Sequence, residues 1–413
     1  MPSLLITNIK GLAGLHPAGT LLLRGNEMAG LPVLEDAYLL LENGRISGFG
    51  EMRTMPEGLG TGREELDAQG RYVLPAWCDS HTHLVFAASR EEEFVMKIRG
   101  RSYEEIAAAG GGILNSAGKV RQAGEDELFE SARQRLDELM ALGTGAIEIK
   151  SGYGLTADAE LKMLRVIRRL KEAVPIPVKA TFLGAHAYPA GYRADHAGYL
   201  KILKDLIPRL AGEGLADYID VFCESGFFSL SESLEILEAG ARHGLKPKIH
   251  VNQLSVSGGV QLGVAQKAVS VDHLEMLDQA AIDSVAGSGT VATLLPGCSL
   301  FLGIPFADAR RLIGAGAAVA VASDYNPGSA PSGNMNLVVS LACIRLRMLP
   351  EEALNAATLN GAAAMELSDE LGSIAVGKRA NLIVTKQIPS LNYLPYAFGS
   401  TLVDRVIING NIY

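Results

Sequence analysis

Two histidines separated by one residue, His81 and His83, are the strongest local sign of chemistry in the 413-residue sequence. In an extended segment, alternate side chains project to the same side, so both imidazoles can face one space and hold one metal ion. The alternative is a chance placement of two histidines in a loop. The pair therefore needs further ligands before it predicts a metal site.

Three such ligands stand at the ends of short apolar runs: His250, His273 and Asp324. Two or three imidazoles with one carboxylate suit zinc or iron and leave a coordination position for water, as a hydrolytic metal requires. A hydrogen-bonded core histidine is the alternative at any single strand end. His186 also ends a run, whereas the other histidines are interpreted as ordinary surface or helix residues: His16, His196 and His243.

The sequence favours one metal ion over two. Barrels that bind two ions usually bridge them with a modified lysine on the fourth strand, and the fourth run, 218–224, contains no lysine. Lys150 ends the second run, too far around a barrel to bridge ions near His81, and is interpreted as a charged structural residue. We expect one divalent or trivalent ion, zinc or iron, because the same ligands accept both.

Eight β-branched or apolar runs alternate with helix-period segments in the sequence, and the candidate residues stand at or near the ends of these runs. This alternation predicts an α/β fold, and eight βα units in about 250 residues match a (β/α)8 TIM barrel. Polar residues at the run ends favour the barrel over a doubly wound open sheet, because barrel enzymes place their chemistry at that face. The predicted run ends lie near Asp79, Lys150, His186, Glu224, Val251, His273, Leu295 and Asp324.

Both ends of the chain are rich in predicted strands. Short apolar runs at 4–9, 20–23 and 37–41, with a hairpin turn at Asn43-Gly44, begin the sequence, and runs at 381–385 and 402–408 end it. We expect a small, composite, sandwich-like β domain from residues 1–70 plus 371–413. The barrel would then take residues 71–370.

Composition and charge argue against several classes of binding partner. A net charge of −9 offers no basic surface for nucleic acid, and the longest uncharged stretch, 284–307, is broken by glycines and a proline, so no membrane-spanning segment is expected. Four widely spaced cysteines without a C-x-x-C pair, and no secretory signal, predict a cytoplasmic protein. The motifs of phosphoryl transfer, hydride transfer and serine acylation are missing from the sequence.

Several blocks resemble the metal-dependent amidohydrolase superfamily along nearly the whole chain. They are 75–83 (PAWCDSHTH), the strand-end histidines, Ser323-Asp324 and 371–381 (LGSIAVGKRAN). Other blocks are similar, more narrowly, to the imidazolonepropionase family. They are 89–94 (SREEEF), 103–112 (YEEIAAAGGG), 148–155 (EIKSGYGL), 181–186 (TFLGAH) and 324–329 (DYNPGS).

The resemblance implies a barrel with a composite β domain. It also implies an enzyme of histidine degradation that opens 4-imidazolone-5-propanoate at a ring C–N bond and gives N-formimidoyl-L-glutamate. The metal ligands that it implies are His81, His83, His250 and Asp324. The residues that it places against the substrate are Arg90, Tyr153, His186, Asn326, Gly328 and Ser329.

The residues support this chemistry directly. Water whose pKa a metal lowers toward ~7 would attack the ring, with Asp324 as the candidate base and His273 stabilising charge or carrying a proton. Arg90, seven residues past His83, can grip a propanoate carboxylate. Gln253 stands where some family members have a glutamate, and an amide hydrogen-bonds but cannot shuttle a proton.

Two alternatives stay open. One is a mononuclear deaminase or lactam hydrolase acting on another small heterocycle, and Arg90 argues against it because a substrate without a carboxylate gives that cation no purpose. The other is a metal-free barrel used for binding or assembly, which the full ligand set disfavours. The sequence leaves a homodimer open, since no heptad or distinctive apolar stripe stands out.

Overall fold

The computed structural model describes residues 3–101, 105 and 111–413. Most of the block 103–112, which contributed to the family resemblance, lies outside these residues. The strands in chain order are β1 (Ser3–Ala13), β2 (Val33–Glu42), β3 (Arg45–Glu51), β4 (Glu64–Asp67), β5 (Tyr72–Pro75), β6 (Trp77–Thr82), β7 (Thr144–Lys150), β8 (Val178–Ala185), β9 (Tyr218–Cys223), β10 (Lys246–Pro247), β11 (Ile249–Val251), β12 (Ser270–His273), β13 (Val291–Leu294), β14 (Val319–Val321), β15 (Leu382–Thr385), β16 (Val403–Ile408) and β17 (Asn411–Ile412).

Helices cover most of the connections between the strands of the central sheet. They are α1 (Glu91–Ile98), α2 (Ile113–Gln122), α3 (Glu125–Ala141), α4 (Ala157–Ala173), α5 (His196–Gly212), α6 (Leu230–Arg242), α7 (Gly259–Ala265), α8 (Gln279–Ala286), α9 (Pro296–Leu302), α10 (Ala309–Gly314), α11 (Met335–Ile344), α12 (Pro350–Ala357), α13 (Leu359–Ala363) and α14 (Tyr393–Tyr396). Among the described residues, none of these helices combines the length and apolarity that crossing a membrane requires.

Local sequence explains why these helices form. Helix α4 begins after Thr156, whose hydroxyl accepts a hydrogen bond from the Ala159 amide and so caps the helix. Its apolar residues recur at helical spacing, and Leu161, Leu164 and Ile167 are buried. The buried face lies against the barrel, where β8 is its main strand contact.

The central sheet is parallel, and in the described part of the chain its order is β14-β13-β12-β11-β9-β8-β7-β6, with β10 alongside β9. Backbone bonds join the two ends of this series: the Asp324 amide donates to the His81 carbonyl, and the His83 amide donates to the Tyr325 carbonyl, each at 2.9 Å. The strands therefore close on themselves. The predicted (β/α)8 barrel is confirmed.

The second sheet joins both chain ends, in the order β17-β16-β15-β5-β1-β2-β3 with β4 beside β1. The first predicted barrel run, which ends near Asp79, divides between the sheets: β5 pairs with β1 and β15, while β6 begins the barrel at Trp77. The run at 20–23 is not a strand, because the backbone of Leu23 bonds to the Asn360 amide side chain. The exact domain boundaries remain our proposal.

Candidate metal centre and its surroundings

Four imidazoles meet at the carboxyl end of the barrel strands. His81 and His83 lie two residues apart on β6 and just after it, His250 lies in β11, and His273 ends β12. Each is at most 3% exposed. The ring centroid of His81 is 4.4 Å from that of His250, 5.4 Å from that of His83 and 5.7 Å from that of His273. Strand ends far apart in sequence thus deliver their side chains to one small volume.

Asp324 brings a carboxylate to the same point. Its Oδ1 atom lies 3.5 Å from Nε2 of His81 and 3.5 Å from Nε2 of His83. Three groups of the described residues have potential ligand atoms within 4.8 Å of one another: His81, His83 and Asp324; His81, His250 and His273; and His273, Glu275 and Cys298. The first two groups share His81 and the last two share His273, so they form one connected cluster.

Unpartnered nitrogen atoms test whether this centre suits a metal. Nε2 of His81, Nε2 of His250 and Nδ1 of His83 are buried without a hydrogen-bond partner, although buried polar atoms are normally satisfied. Three imidazoles and a carboxylate are the donor set that zinc or iron prefers. The residues therefore fit a metal ion.

The opposite nitrogens of two of these rings are held by carboxylates. Nδ1 of His81 lies 2.6 Å from Oδ2 of Asp272, and Nδ1 of His250 lies 3.0 Å from Oδ2 of Asp220. An Nδ1–H that donates to a carboxylate leaves the Nε2 lone pair free, which fixes the tautomer that binds a metal. Both rings are therefore oriented for ligation.

Burial and neighbouring charge also favour neutral ligands. Burial first, and the Lys150 ammonium second, hold the pKa of His81 and of His250 well below the usual range. Burial followed by His186 does the same to the pKa of His83. These imidazoles are thus neutral at pH 7, and a neutral imidazole is the form that binds a metal.

The pKa values of the two candidate proton carriers, Asp324 and His273, are raised, in contrast to those of the candidate imidazole ligands. Burial raises the pKa of Asp324 to about 6, and the nearby His273 opposes that rise. Burial lowers the pKa of His273, but the carboxylates of Glu275, Asp324 and Asp272 together outweigh it, so the pKa is raised overall. A carboxyl group and an imidazole with pKa values brought toward neutrality are suited to proton transfer.

Two of these residues also adopt left-handed backbone conformations. The φ angle is 87° at His273 and 54° at Asp324. Such angles are uncommon for residues with a Cβ atom, and they persist where the surrounding structure enforces them. The strain falls on the two residues from which the sequence predicts proton transfer.

Arg90 is held beside the site by an acidic neighbour. Its Nε donates to Oε2 of Glu93 at 2.9 Å, and its Nη2 donates to the same oxygen. Nη1 lies against Gly328, where a Cβ atom would come within 2.2 Å of it. Gly328 therefore leaves the room that the guanidinium occupies, and the two predicted substrate residues lie together.

The remaining predicted substrate residues line the same side. The ring of His186 stacks on that of His83 at 5.2 Å, and the ring of Tyr153 meets that of His83 edge-on at 5.8 Å. Nδ1 of His186 lies 3.1 Å from the Gly152 carbonyl oxygen, so Nε2 is the nitrogen left for other contacts. These two rings are brought next to the candidate metal centre.

Asn326 organises the loop after β14. Its Oδ1 accepts from the amides of Gly328 and Ser329, each at 2.8 Å, and lies 3.4 Å from the Tyr153 hydroxyl. Its Nδ2 donates to the Asp324 carbonyl and to the Ser329 hydroxyl. The Asn326 side chain thus shapes this loop and fixes Ser329, whose hydroxyl lies 3.4 Å from Oδ2 of Asp324.

Gln253 lies near the centre but is turned toward a thiol. Its Nε2 donates to Sγ of Cys298 at 3.3 Å, and burial raises the pKa of Asp324 while the Cys298 thiol acts to lower it. The side chain is thus one residue removed from Asp324. From this position Gln253 can act through hydrogen bonding rather than by binding a metal.

Comparison with known proteins gives this geometry a family. A model of the amidohydrolase family matches residues 72–413. An imidazolonepropionase of Christiangramia forsetii is 54% identical over 411 residues, covering 99% of this chain and all of that protein. One from Flavobacterium johnsoniae is 54% identical over 409 residues, covering 99% of each chain. The chain belongs to the imidazolonepropionase family of amidohydrolases. The predicted family membership is confirmed.

A solved structure supports the fold. An adenosine deaminase from Xanthomonas campestris with bound zinc superposes with a TM-score of 0.70 at 18% sequence identity, covering 100% of this chain and 92% of that chain. At this identity the likeness concerns the fold. Amidohydrolases are metal-dependent hydrolases, and the histidine and aspartate groups of this chain supply a place for the metal.

The structure gathers the sequence-predicted residues around one centre, and their individual roles stay predictions. One other expectation was wrong: His16 is not a surface or helix residue, since it is 5% exposed and Nε2 lies 2.9 Å from Oδ1 of Asn355. His196 opens α5, and His243 is exposed at the end of α6, as expected.

Sequence reasoning missed the charged residues beneath the centre. Asp220 and Asp272 each hold a candidate ligand, yet neither was considered. The available signal was alternation: in Tyr218-Ile219-Asp220 and Ser270-Val271-Asp272, polar residues flank an apolar one within a buried strand. Alternate residues share a face, so these side chains had to point into the barrel.

Proposed function

We propose that this chain hydrolyses the ring C–N bond of 4-imidazolone-5-propanoate and releases N-formimidoyl-L-glutamate, a step of histidine degradation. The observation that carries the proposal is the convergence of four buried imidazoles and the Asp324 carboxylate in one centre, where Nε2 of His81 and Nε2 of His250 have no hydrogen-bond partner. The similarity to imidazolonepropionases over the whole chain supports the choice of substrate.

The proposed cofactor is one zinc or iron ion per chain, held by His81, His83, His250 and Asp324. Such an ion, when bound, supplies Lewis acidity and lowers the pKa of water toward ~7. The protein provides the dry surroundings, because each of these side chains is at most 2% exposed. It also provides orientation, through the carboxylates that hold His81 and His250.

In this proposal, Asp324 transfers the proton and His273 stabilises the developing negative charge. Asp324 accepts a proton from the attacking water and delivers it to the ring nitrogen that departs when the C–N bond breaks. His273, whose Nδ1 lies 3.5 Å from Oε1 of Glu275, directs its other nitrogen to the oxygen on which negative charge develops. An imidazole held by a carboxylate is suited to that stabilisation.

The propanoate arm of the substrate is proposed to bind Arg90. Glu93 occupies one side of the guanidinium, which leaves Nη1 beside Gly328 for a substrate carboxylate. Tyr153 and His186 are proposed to contact the substrate ring, and Asn326, whose Oδ1 lies 3.4 Å from the Tyr153 hydroxyl, shapes the adjoining loop with Ser329. In this proposal Arg90 selects for the carboxylate of the substrate.

Arg90→Ala tests the carboxylate contact. We expect KM for imidazolone propanoate to rise by about 10- to 100-fold with kcat much less affected, since a charge-assisted hydrogen bond contributes ~1.5–3 kcal/mol. Steady-state kinetics checks this, with exposed Arg99→Ala as the matched control. An unchanged KM in the Arg90 variant would remove the carboxylate role.

Gln253→Glu tests proton shuttling at this position. A carboxylate can carry a proton where an amide cannot, so the variant should turn over faster, by up to about tenfold, if transfer to the departing nitrogen limits the rate. The measurement is kcat as a function of pH. A rate at or below that of the unmodified protein would show that Asp324 and His273 already suffice.

Direct assay tests the function itself. Purified protein of known metal content is mixed with imidazolone propanoate, and loss of the ring's ultraviolet absorbance is followed together with product identity by mass spectrometry. The proposal expects turnover in proportion to bound metal. Ammonia release from another heterocycle, without ring opening of this one, would instead favour the deaminase alternative.

The sequence leaves a homodimer open, and the division into a composite β domain and a barrel stays our prediction. Sedimentation of the metal-loaded protein would decide the first. Limited proteolysis, which cuts exposed connections before packed elements, would test the second.

A further inference from the structure

Five charged side chains of the described residues lie fully buried inside the barrel, below the candidate metal centre. They are Glu148, Lys150, Asp220, Lys248 and Asp272, each 0% exposed. Two cations face three anions, so the group carries a net charge of −1. Burying a charged group costs free energy unless the group is paired with an opposite charge. This cluster of five charged groups lies in the part of the barrel that supports the candidate metal centre.

Lys150 is the member that connects the others to the metal centre. Its Nζ lies 2.6 Å from Oε1 of Glu148, 2.8 Å from Oδ2 of Asp220 and 3.5 Å from Oδ2 of Asp272. The two aspartates are the groups that hold Nδ1 of His250 and Nδ1 of His81. One ammonium group thus touches both carboxylates that orient the two imidazoles.

Lys248 provides a natural comparison. It is equally buried, it lies between β10 and β11, and its Nζ donates to Oε2 of Glu148 and, at 3.4 Å, to the Ser80 carbonyl. Among the hydrogen bonds and ion pairs of the described residues, it reaches neither Asp220 nor Asp272. The two lysines therefore share charge and depth but differ in what they touch.

We propose that Lys150 is a positioning residue that fixes Asp220 and Asp272 together and thereby sets the geometry of His250 and His81 toward the metal. The inference rests on the metal-dependent function proposed above. A carboxylate anchored on one side by an ammonium cannot turn away from its imidazole. Losing that anchor frees both carboxylates at once, so both ligands lose their fixed orientation.

The test measures binding of Zn²⁺ alone, by competition with a chromogenic chelator after metal removal. Lys150→Met by itself would leave buried carboxylates without a cation and destabilise the fold whatever the role of Lys150. The informative variant is Lys150→Met with Glu148→Gln, which keeps the net charge of −1. Its matched control is Lys248→Met with Glu148→Gln, which keeps the same charge.

We expect the Lys150 double variant to bind Zn²⁺ about 10- to 100-fold more weakly than the unmodified protein. The Lys248 double variant should change by less than about threefold, because it touches neither aspartate. Lys150→Gln with Glu148→Gln restores an N–H donor and should fall between them. Thermal unfolding of the metal-free proteins shows whether the methionine variant folds. If it does not fold, the glutamine variant is used for the test instead.

Equal losses in the Lys150 and Lys248 variants, or no loss in either, would overturn the positioning role. Failure of the proposed function looks different: the unmodified protein would then bind no stoichiometric Zn²⁺ or would not open the substrate ring. If the unmodified protein is active and the Lys150 double variant binds Zn²⁺ normally, only the positioning role of Lys150 is rejected.

Discussion

His250→Ala should remove bound metal and catalysis together. His250 is 2% exposed, and its Nε2 has no hydrogen-bond partner, so its removal leaves the centre one ligand short. A catalytic metal stabilises the transition state by several kcal/mol, which corresponds to a loss of about 10³-fold or more in kcat/KM. Metal content by elemental analysis and turnover of imidazolone propanoate are the two measurements.

His243→Ala is the matched control for this experiment, since it deletes an imidazole from the exposed end of α6. It should keep both metal and activity. A His250 variant that retains a full complement of metal would place the ion elsewhere. A variant that loses metal but keeps its rate would show that hydrolysis does not depend on the ion.

Asp324→Asn should lower kcat by about 10²- to 10⁴-fold, the usual contribution of a positioned acid–base group. Asparagine has nearly the same shape and keeps an oxygen for the metal, but it cannot accept the water proton. The loss should therefore appear in kcat rather than KM, with the metal measured separately to isolate the proton step.

Asp205→Asn controls for the substitution, because Asp205 is an exposed aspartate paired with Lys201 on α5. It should leave kinetics unchanged. A decline smaller than about tenfold in the metal-loaded Asp324 variant would assign the base role to another group, with His273 the next candidate, as its pKa is raised by Glu275 against the effect of burial.

Much of the barrel could be predicted because its strands end at recognisable places. Lys150 ends β7 as predicted, Val251 ends β11 and His273 ends β12. The two β-rich ends were also recognisable, since Asn43-Gly44 and Asn409-Gly410 each turn between strands. The run at 20–23 misled because an apolar pattern does not reveal that Asn360 satisfies its backbone.

The role of Lys150 shows where sequence reasoning stopped. It was interpreted as a charged structural residue, and the structure places it in contact with the carboxylates behind two candidate ligands. Its partners come from β7, β9 and β12, which are not consecutive in the barrel. Periodicity identifies the inward face of each strand, but it does not give the heights at which side chains from different strands meet.

The residues with suitable chemistry, and the strand ends at which they lie, could be predicted because strand periodicity and composition are local properties. The closure of the barrel, the approach of Asp324 to His81 and His83, and the contacts of Asp220, Asp272 and Lys150 behind the candidate ligands became visible in the folded chain. Those contacts depend on strand order, register and twist, which follow from packing the whole chain.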